Sequence, residues 1–586
     1  MYENKTHIRV CLSFRCKIVL LVTLFIYLWF SIRWSHNLPS RPLFEKILID
    51  DDWEFSFDEL TWIMVTLPHT PRVEPIEKVE QQWQGTCFYR RKLPIVDNSY
   101  RILQFDAAMH EADVWVDGVH VVHHLGGYLP FDVNVSHGNN ITVRLRNTDN
   151  PIIPPGKTLS ELDFNYYGGL YRHVWLFKKS YQLRFDRDIR VQYENVNRSQ
   201  ATVRIRFNIT HDQNTLKRYR IRYLLNGDEL FPSKVIDLAN PSMNSVAYDI
   251  KIIVIHPRLW SPWKPNLYTL SLGLRSNIGT KEIVFDQENI TIGIRSFEFR
   301  SNSSFLFLNG EKLDFLVGTN RHQEYPYVGY AVPDRAQRRD AYKIKAAGFH
   351  LVRCSHYPPS IAFLDACDRL GLLVINSIPG WQFFGNKTFQ ANALDDVRQM
   401  MRRDSNHPCI FLWEASLNES PMSREFMARA HAIVKEELSN GLTSGWLDEE
   451  NIYDVFAPAR QHRDRPYFYR FYRAKNNKPI FLAEYGDWEY YASKNHNFNQ
   501  TFLPQLEQFQ NTSRQRRCDG ERGLLQQIFN FQEAHNDNRL ASKTACIIGD
   551  ANWVMFDYKR GYAPDIEASG IMDINRLPKF VFYFYQ

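Results

Sequence analysis

Two antiparallel β-sandwiches followed by a (β/α)8 TIM barrel are the architecture this sequence predicts. Three observations carry that reading. At about 150 residues per domain, 586 residues make three or four domains. Between residues 48 and 295, apolar and polar residues alternate with a period of two, punctuated by DG, GG and NN turn signals. After Ser296 the texture changes to short apolar runs alternating with helical periodicities, the mark of a parallel sheet covered by helices.

Residues 48–180 hold CFYRRKLPI, YRILQFDAA, ADVWVDGVHVV, ITVRLRN and RHVWLFKK, the first sandwich. Residues 181–295 hold IRVQYENV, ATVRIRFNI, YRIRYLLNG, AYDIKIIVI and LYTLSLGLR, a span that fits an immunoglobulin-like sandwich. Residues 296–586 supply eight candidate strands, at 313–320, 350–355, 372–376, 410–415, 443–447, 452–456, 480–486 and 545–555. Helices are expected at Asp334–Ala347, Ser360–Leu370, Ala391–Arg403 and Ser423–Leu438. Eight strands in about 290 residues match one barrel, whose working face lies at the C-terminal strand ends. Those ends carry Asn320-Arg321-His322, Arg353-Cys354-Ser355-His356-Tyr357, Asn376, Asn418-Glu419, Glu484-Tyr485 and Asn552-Trp553. The polar stretch 490–534 receives no assignment.

Composition narrows the function. Hydrophobic residues make up 44% of the chain, which excludes a largely disordered protein. The net charge is only +6, and the short basic clusters Arg335–Arg339 and Arg514–Arg522 read as solvated faces, so no nucleic-acid partner is expected. Forty Phe and thirty Tyr are many, and carbohydrate clefts are one place where such rings gather. The eight Cys are scattered without a CxxC, which gives little support to a zinc or redox site and leaves room for one or two disulfides.

Near the N-terminus, Ile18–Ile32 is an almost unbroken apolar run between Lys17 and Arg33, with no small-x-small cleavage pattern after it. It reads as an uncleaved signal anchor in preference to a cleaved signal peptide. Residues 1–17 would then be a cytosolic tail and the remainder a lumenal or extracellular domain of a type II membrane protein; the alternative is secretion. Sequons at Asn134, Asn140, Asn197, Asn208, Asn289, Asn302, Asn386, Asn499 and Asn511 agree with a secretory-pathway glycoprotein. Asn418 fits the same pattern.

Two acids end buried strands, where a charge is costly without purpose. Glu419 follows the fourth strand and Glu484 the seventh; these staves are expected to face each other and bring the carboxylates to about 5–5.5 Å, the separation of retaining glycoside hydrolysis. A sugar acetal needs a proton on its leaving oxygen and a nucleophile on the other side of the anomeric carbon. From spacing alone, the pair reads equally as an ion-paired structural couple, with Arg353 as the obvious partner. Glu414 is a rival acid inside the fourth strand. Alternation from Glu414 reaches Asn418 and not Glu419, so the chain must leave strand geometry before both side chains face the rim.

The motifs resemble glycoside hydrolase family 2, the family of β-galactosidases, β-glucuronidases and β-mannosidases, over residues 48–586. They are ADVWVDGVHVVHHLGGYLPF and YGGLYRHV in the first sandwich, with LWSPWKPNLYTL and Gly293-Ile294-Arg295 closing the second. In the barrel come GTNRHQEYP, VRCSHYPPS, RRDSNHPCIFLWEASLNES and AEYGDW. RCSHYP resembles the β-galactosidase branch. PGWQFFG and EASLNES are similar to a branch of bacterial polysaccharide-degrading β-galactosidases.

The resemblance implies a jelly-roll-like sugar-binding first sandwich and a retaining exo-β-glycosidase acting on a carbohydrate substrate without a cofactor. It makes Glu419 the general acid/base and Glu484 the nucleophile. Asn418 would bond the sugar 2-OH, Arg353 would hold the nucleophile ionised, and His356 and His322 would contact hydroxyls. Tyr485 would modulate the nucleophile. Trp553 would stack under a sugar ring, with a core role as its alternative.

Departures bear on specificity. Asn376-Ser377 stands where many relatives carry an acid, which speaks against a β-galactosidase-type magnesium site. The Asn-x-Lys pair of glucuronidases is missing from Gly561–Lys579. The chain also runs only seven residues past Lys579, which leaves a stub of the last barrel helix. β-Mannosidase or another exo-specificity, and a non-catalytic carbohydrate-binding scaffold, are the alternatives.

Overall fold

The computed structural model describes residues 43–74, 82–94, 99–211, 218–229, 234–237, 245–278, 281–299, 305–459, 473–491, 514–516, 521–562 and 566–586. The first unit packs a four-stranded sheet (Glu45–Leu48, Val174–Lys179, Tyr100–Phe105, Phe131–Asn134) on a six-stranded sheet that includes Thr86–Lys92, Asn140–Arg146 and Glu111–Val116. The expected alternation is literal here: in Tyr100–Phe105 every second residue is buried, and Leu103, Phe105, Val143 and Leu145 fill the space between the sheets. The second sandwich pairs Gln200–His211 with Ser245–Ile255 on one side and Tyr268–Ile278 with Lys281–Ile292 on the other.

Eight parallel strands then close into a barrel. We label them β1 (Leu316–Arg321), β2 (Leu351–Cys354), β3 (Leu373–Ser377), β4 (Ile410–Glu414), β5 (Thr443–Gly445), β6 (Val455–Phe456), β7 (Ile480–Gly486) and β8 (Ile547–Trp553). Six fall within the expected runs, and β1 and β3 each extend one residue beyond theirs, to Arg321 and Ser377. The helices are α1 (Asp334–Ala346), α2 (Ile361–Leu370), α3 (Lys387–Asp404), α4 (Arg424–Glu437) and α5 (Glu521–Ala541). Ser360, Asn386 and Ser423 cap α2, α3 and α4 by accepting the backbone N–H three residues on. Helix α3 therefore begins four residues ahead of Ala391, at the cap its sequence supplies. Helix α5 begins in the stretch that received no assignment and runs beyond it to Ala541.

Three docking contacts position the barrel. The Trp260 indole, fully buried, donates to the Asp368 carbonyl on α2 at 2.9 Å, and Arg295 donates to the Pro408 and Ile410 carbonyls at 2.7 and 2.6 Å. These bind the second sandwich to the barrel's flank. The first sandwich instead covers the mouth. Tyr128, Phe164, Tyr167 and Tyr171 pack with Tyr330, Tyr357, Trp553 and Tyr558 of the barrel in one buried aromatic joint. Some of the aromatic residues thus serve to join domains.

The membrane reading is corrected. Among the described residues no helix is long and apolar enough to cross a membrane, and residues 1–17 and the run 18–32 lie outside them; the anchor and type II assignments are withdrawn. The five described cysteines, Cys87, Cys354, Cys367, Cys409 and Cys546, are all free. The described sequon asparagines at 134, 140, 197, 208, 289 and 386 are exposed, while Asn418 is buried; Asn302, Asn499 and Asn511 lie outside the described residues.

Gly371 tests the docking of the second sandwich. It closes α2 at φ 65°, and a Cβ there would overlap the Pro262 carbonyl. Gly371→Ala should destabilise the protein by about 1–3 kcal/mol, read as a lower thermal midpoint. An unchanged midpoint would show that this contact yields freely.

Candidate active site

The mouth of the barrel is organised by one side chain. Arg353, at the end of β2, is fully buried and directs every donor of its guanidinium at a strand-end acceptor. Nε and Nη2 each donate to Glu414 at 2.6 Å, a bidentate pair with the acid that stays inside β4. Nη1 donates to Glu484 Oε1 at 2.7 Å and to Asn320 Oδ1 at 3.1 Å, and Nη2 reaches Asn418 Oδ1 at 3.2 Å. Acceptors from three other strands, β1, β4 and β7, thus meet on the arginine from β2. Asn320 is itself fixed by the Ala483 and Asn552 carbonyls at 2.8 and 3.1 Å, and Ser377 donates to Glu414 at 2.8 Å.

Glu484 and Glu419 are both brought to this mouth, by different means. Glu484 stands on β7, its side chain 13% exposed, and accepts from Asn418 Nδ2 at 3.2 Å as well as from Arg353. Glu419 leaves strand geometry altogether. Beyond the end of β4 the backbone reaches φ 48° at Glu419, and its Oε2 accepts from the Trp381 indole at 3.0 Å and from Gln382 Nε2 at 3.1 Å. The expected departure from alternation is therefore present. The expected opposition of the staves is not: β4 and β7 are separated by β5 and β6 alone, so they are not diametrically placed. The segment after β4 carries Glu419 to the rim.

Burial is the main force on Glu484 and pushes its carboxyl up to about 8; Arg353 pulls it down, while the charges of Glu419 and Glu414 push it further up. Arg353 is the strongest influence favouring the ionised form, and burial is the larger force against it. His356 lies beside it, with Nε2 3.8 Å from Glu484 Oε1 and 3.5 Å from Asn418 Nδ2. His322 donates to or accepts from the Tyr357 hydroxyl at 3.0 Å. Burial drives both imidazoles toward the neutral form, His322 down to about 3.

Two expected residues fall elsewhere. Tyr485 follows Glu484 on the strand and so points to the opposite side; its hydroxyl meets Tyr585 at 2.7 Å and His535 of α5 at 3.4 Å, away from the carboxylates. A direct role in modulating Glu484 is withdrawn. Trp553 is 6% exposed, with His356 stacked 5.6 Å from it at 14°, so it belongs to the aromatic joint.

Several site residues carried no clear signal. Asp163 and Phe164 arrive from the first sandwich. Asp163 accepts from the Tyr558 hydroxyl at 2.8 Å and pairs with Arg560 at 3.3 Å, and Phe164 packs against His322 and His356. Trp381 and Gln382 lie within PGWQFFG, though neither was singled out. Three groupings of acids and His among the described residues have metal-ligand spacing, around Asp113, Asp368 and Glu489. Each central carboxylate already holds a cationic or imidazole partner: Arg144, His407 and Arg560 respectively.

A closed β/α barrel with Glu484 on a buried arginine and Glu419 at the same mouth has the make-up of an O-glycosyl hydrolase. Residues 183–295 match the family described as Glycosyl hydrolases family 2, and residues 299–513 match its TIM barrel domain. A β-galactosidase of Thermoanaerobacter pseudethanolicus is 30% identical over 564 residues, covering 92% of this chain and 69% of that protein. A putative β-glucuronidase of Formosa agariphila is 26% identical over 507 residues, covering 80% and 60%. The crystal structure of a Bacteroides uniformis β-glucuronidase superposes with a TM-score of 0.76 at 23% identity, covering 92% and 69%. The chain belongs to glycoside hydrolase family 2.

The raised Glu484 carboxyl has a measurable consequence. An acid whose folded value lies above its ordinary 4.5 holds its proton more tightly when folded, so stability falls as pH rises from about 4.5 to about 8. Glu484→Gln removes that loss. Its thermal midpoint should exceed the parent's by a margin that widens from pH 5 to pH 8; a constant margin would show that Glu484 ionises normally in the fold.

Proposed function

We propose that the protein is a retaining exo-β-glycosidase that removes terminal β-linked neutral sugars, β-galactosides first among them, with Glu484 as nucleophile and Glu419 as general acid/base. The observation that carries this reading is the Arg353 network, which holds Glu484 and Asn418 against each other with Glu419 next in the chain. Ionised Glu484 attacks the anomeric carbon while Glu419 protonates the departing oxygen. A covalent glycosyl-enzyme forms, and water activated by the now anionic Glu419 releases the sugar with its configuration retained. Asn418 offers its amide to the sugar 2-OH, an interaction that strengthens in the oxocarbenium-like transition state.

Preference for a neutral sugar rests on charge. The guanidiniums of Arg353 and Arg560 are each engaged by carboxylates: Glu414 and Glu484 for the first, Glu489, Glu567 and Asp163 for the second. Neither is available to receive a uronic acid. A β-galactosidase among the 30%-identical relatives supports the same choice. The relatives named as β-glucuronidases favour a second reading, β-glucuronide hydrolysis, which a substrate panel separates from the first.

Aryl β-galactosides should be hydrolysed faster than the matching β-glucuronides and β-mannosides, and NMR of the first product should show the β-anomer. An α-anomer at early times would exclude double displacement. Glu484→Gln should lower kcat/KM by roughly a thousandfold or more. Azide should restore turnover of an activated substrate by Glu419→Ala, since it replaces the water that needs the general base; failure of rescue would move the acid/base role to another residue.

A further inference from the structure

Lys157 stands on the loop that the first sandwich sends across the barrel mouth, and that loop is built for its position. Gly156 has φ 77°, and a Cβ there would stand 2.6 Å from Phe383 and 2.7 Å from Phe389, so glycine alone lets the loop wedge against the barrel. Asn392 of α3 also holds the Ile152 carbonyl at 2.8 Å. The Lys157 ammonium lies 4.2 Å from the centre of the Trp381 ring and donates to Gln382 Oε1 at 3.4 Å. Trp381 and Gln382 are the two residues that hold Glu419. Among the described residues, Lys157 has no carboxylate within ion-pair distance; Glu161, its neighbour in sequence, instead accepts from the Thr158 hydroxyl at 2.8 Å. The Lys157 ammonium feels the charges of Glu161, Asp163 and Glu419 at longer range, in direct contact with none of them, and borders the acid that would deliver a proton.

A general acid faces the leaving group, so the residues on its outer flank line the aglycone side of the cleft. We propose that Lys157 determines leaving-group specificity, and that this subsite takes an aglycone bearing an anionic group, a carboxylate or a sulfate. The inference rests on the assignment of Glu419 as acid/base and extends it to substrate choice. Sugar recognition on the Glu484 side stays separate, since the side chains Lys157 touches are Trp381 and Gln382, beside Glu419.

The test compares kcat/KM for three aryl glycosides of the best-cleaved sugar, with leaving groups of matched acidity: a neutral phenol, one bearing a carboxylate and one bearing a sulfate ester. The full-length protein should prefer at least one anionic phenol by about fivefold at low ionic strength, with the preference shrinking in 1 M salt. Which anion is preferred identifies the class. Lys157→Met should bring the anionic-to-neutral ratio to about one, Lys157→Glu should invert it, and Lys157→Arg should keep it. A ratio near one in the parent protein, or one unmoved by Lys157→Met, overturns the assignment. Turnover without charge preference would sink this inference alone, whereas no turnover of any glycoside would sink the hydrolase roles beneath it as well.

Discussion

A single buried guanidinium sets the constraints on this site. Arg353 cannot be deprotonated, and it has no access to water, so the protein must surround it with acceptors. Glu414 supplies a bidentate partner from within β4, while Nη1 reaches out to Glu484 and Asn320 and Nη2 also reaches Asn418. Because those acceptors come from different strands, the arginine ties β1, β2, β4 and β7 to one geometry. A buried ion pair is a poor source of net stability, but it fixes positions well. Here the positions are those of the residues that would meet an anomeric carbon.

The same network places two carboxylates in unlike surroundings. Glu484 is desolvated and crowded by like charge, and its carboxyl rises to about 8 even with Arg353 beside it. Glu419 sits at a left-handed backbone position and is held by the neutral donors Trp381 and Gln382. The first sandwich completes the arrangement from outside. Its aromatic joint roofs the mouth with Phe164 and the tyrosines, and its loop delivers Asp163 and Lys157 to the rim. A barrel without that sandwich would lack one wall of the cleft.

Most of the framework was readable from pattern. Most barrel strands appeared as apolar runs, because a strand covered on both faces is largely apolar; β5, Thr443–Gly445, is the exception. The capped helices were readable for a similar local reason, since Ser360 and Ser423 satisfy orphan backbone donors within three residues. Helix α5 was not legible: its polar residues are explained by partners far away, among them Asn538, bonded to Asp550 of β8, and Gln527, bonded to the Trp488 carbonyl. Glu419 and Glu484 stood out because charge at the end of a buried strand is costly. The separate fates of Glu484 and Tyr485, neighbours on one strand, required the direction of each side chain.

The sequence by itself determined the strand–helix alternation, the closing of eight staves into a barrel and the rim on which Arg353, Asn418, Glu419 and Glu484 gather, because periodicity and burial are properties of short segments. Only the tertiary structure decided which acid Arg353 clasps, where Tyr485 and Trp553 point, and that Lys157 and Asp163 cross from another domain to the mouth. Those outcomes depend on contacts between residues dozens to hundreds of positions apart. Hydrogen-bond geometry and desolvation, which settle them, exist only once the chain has closed.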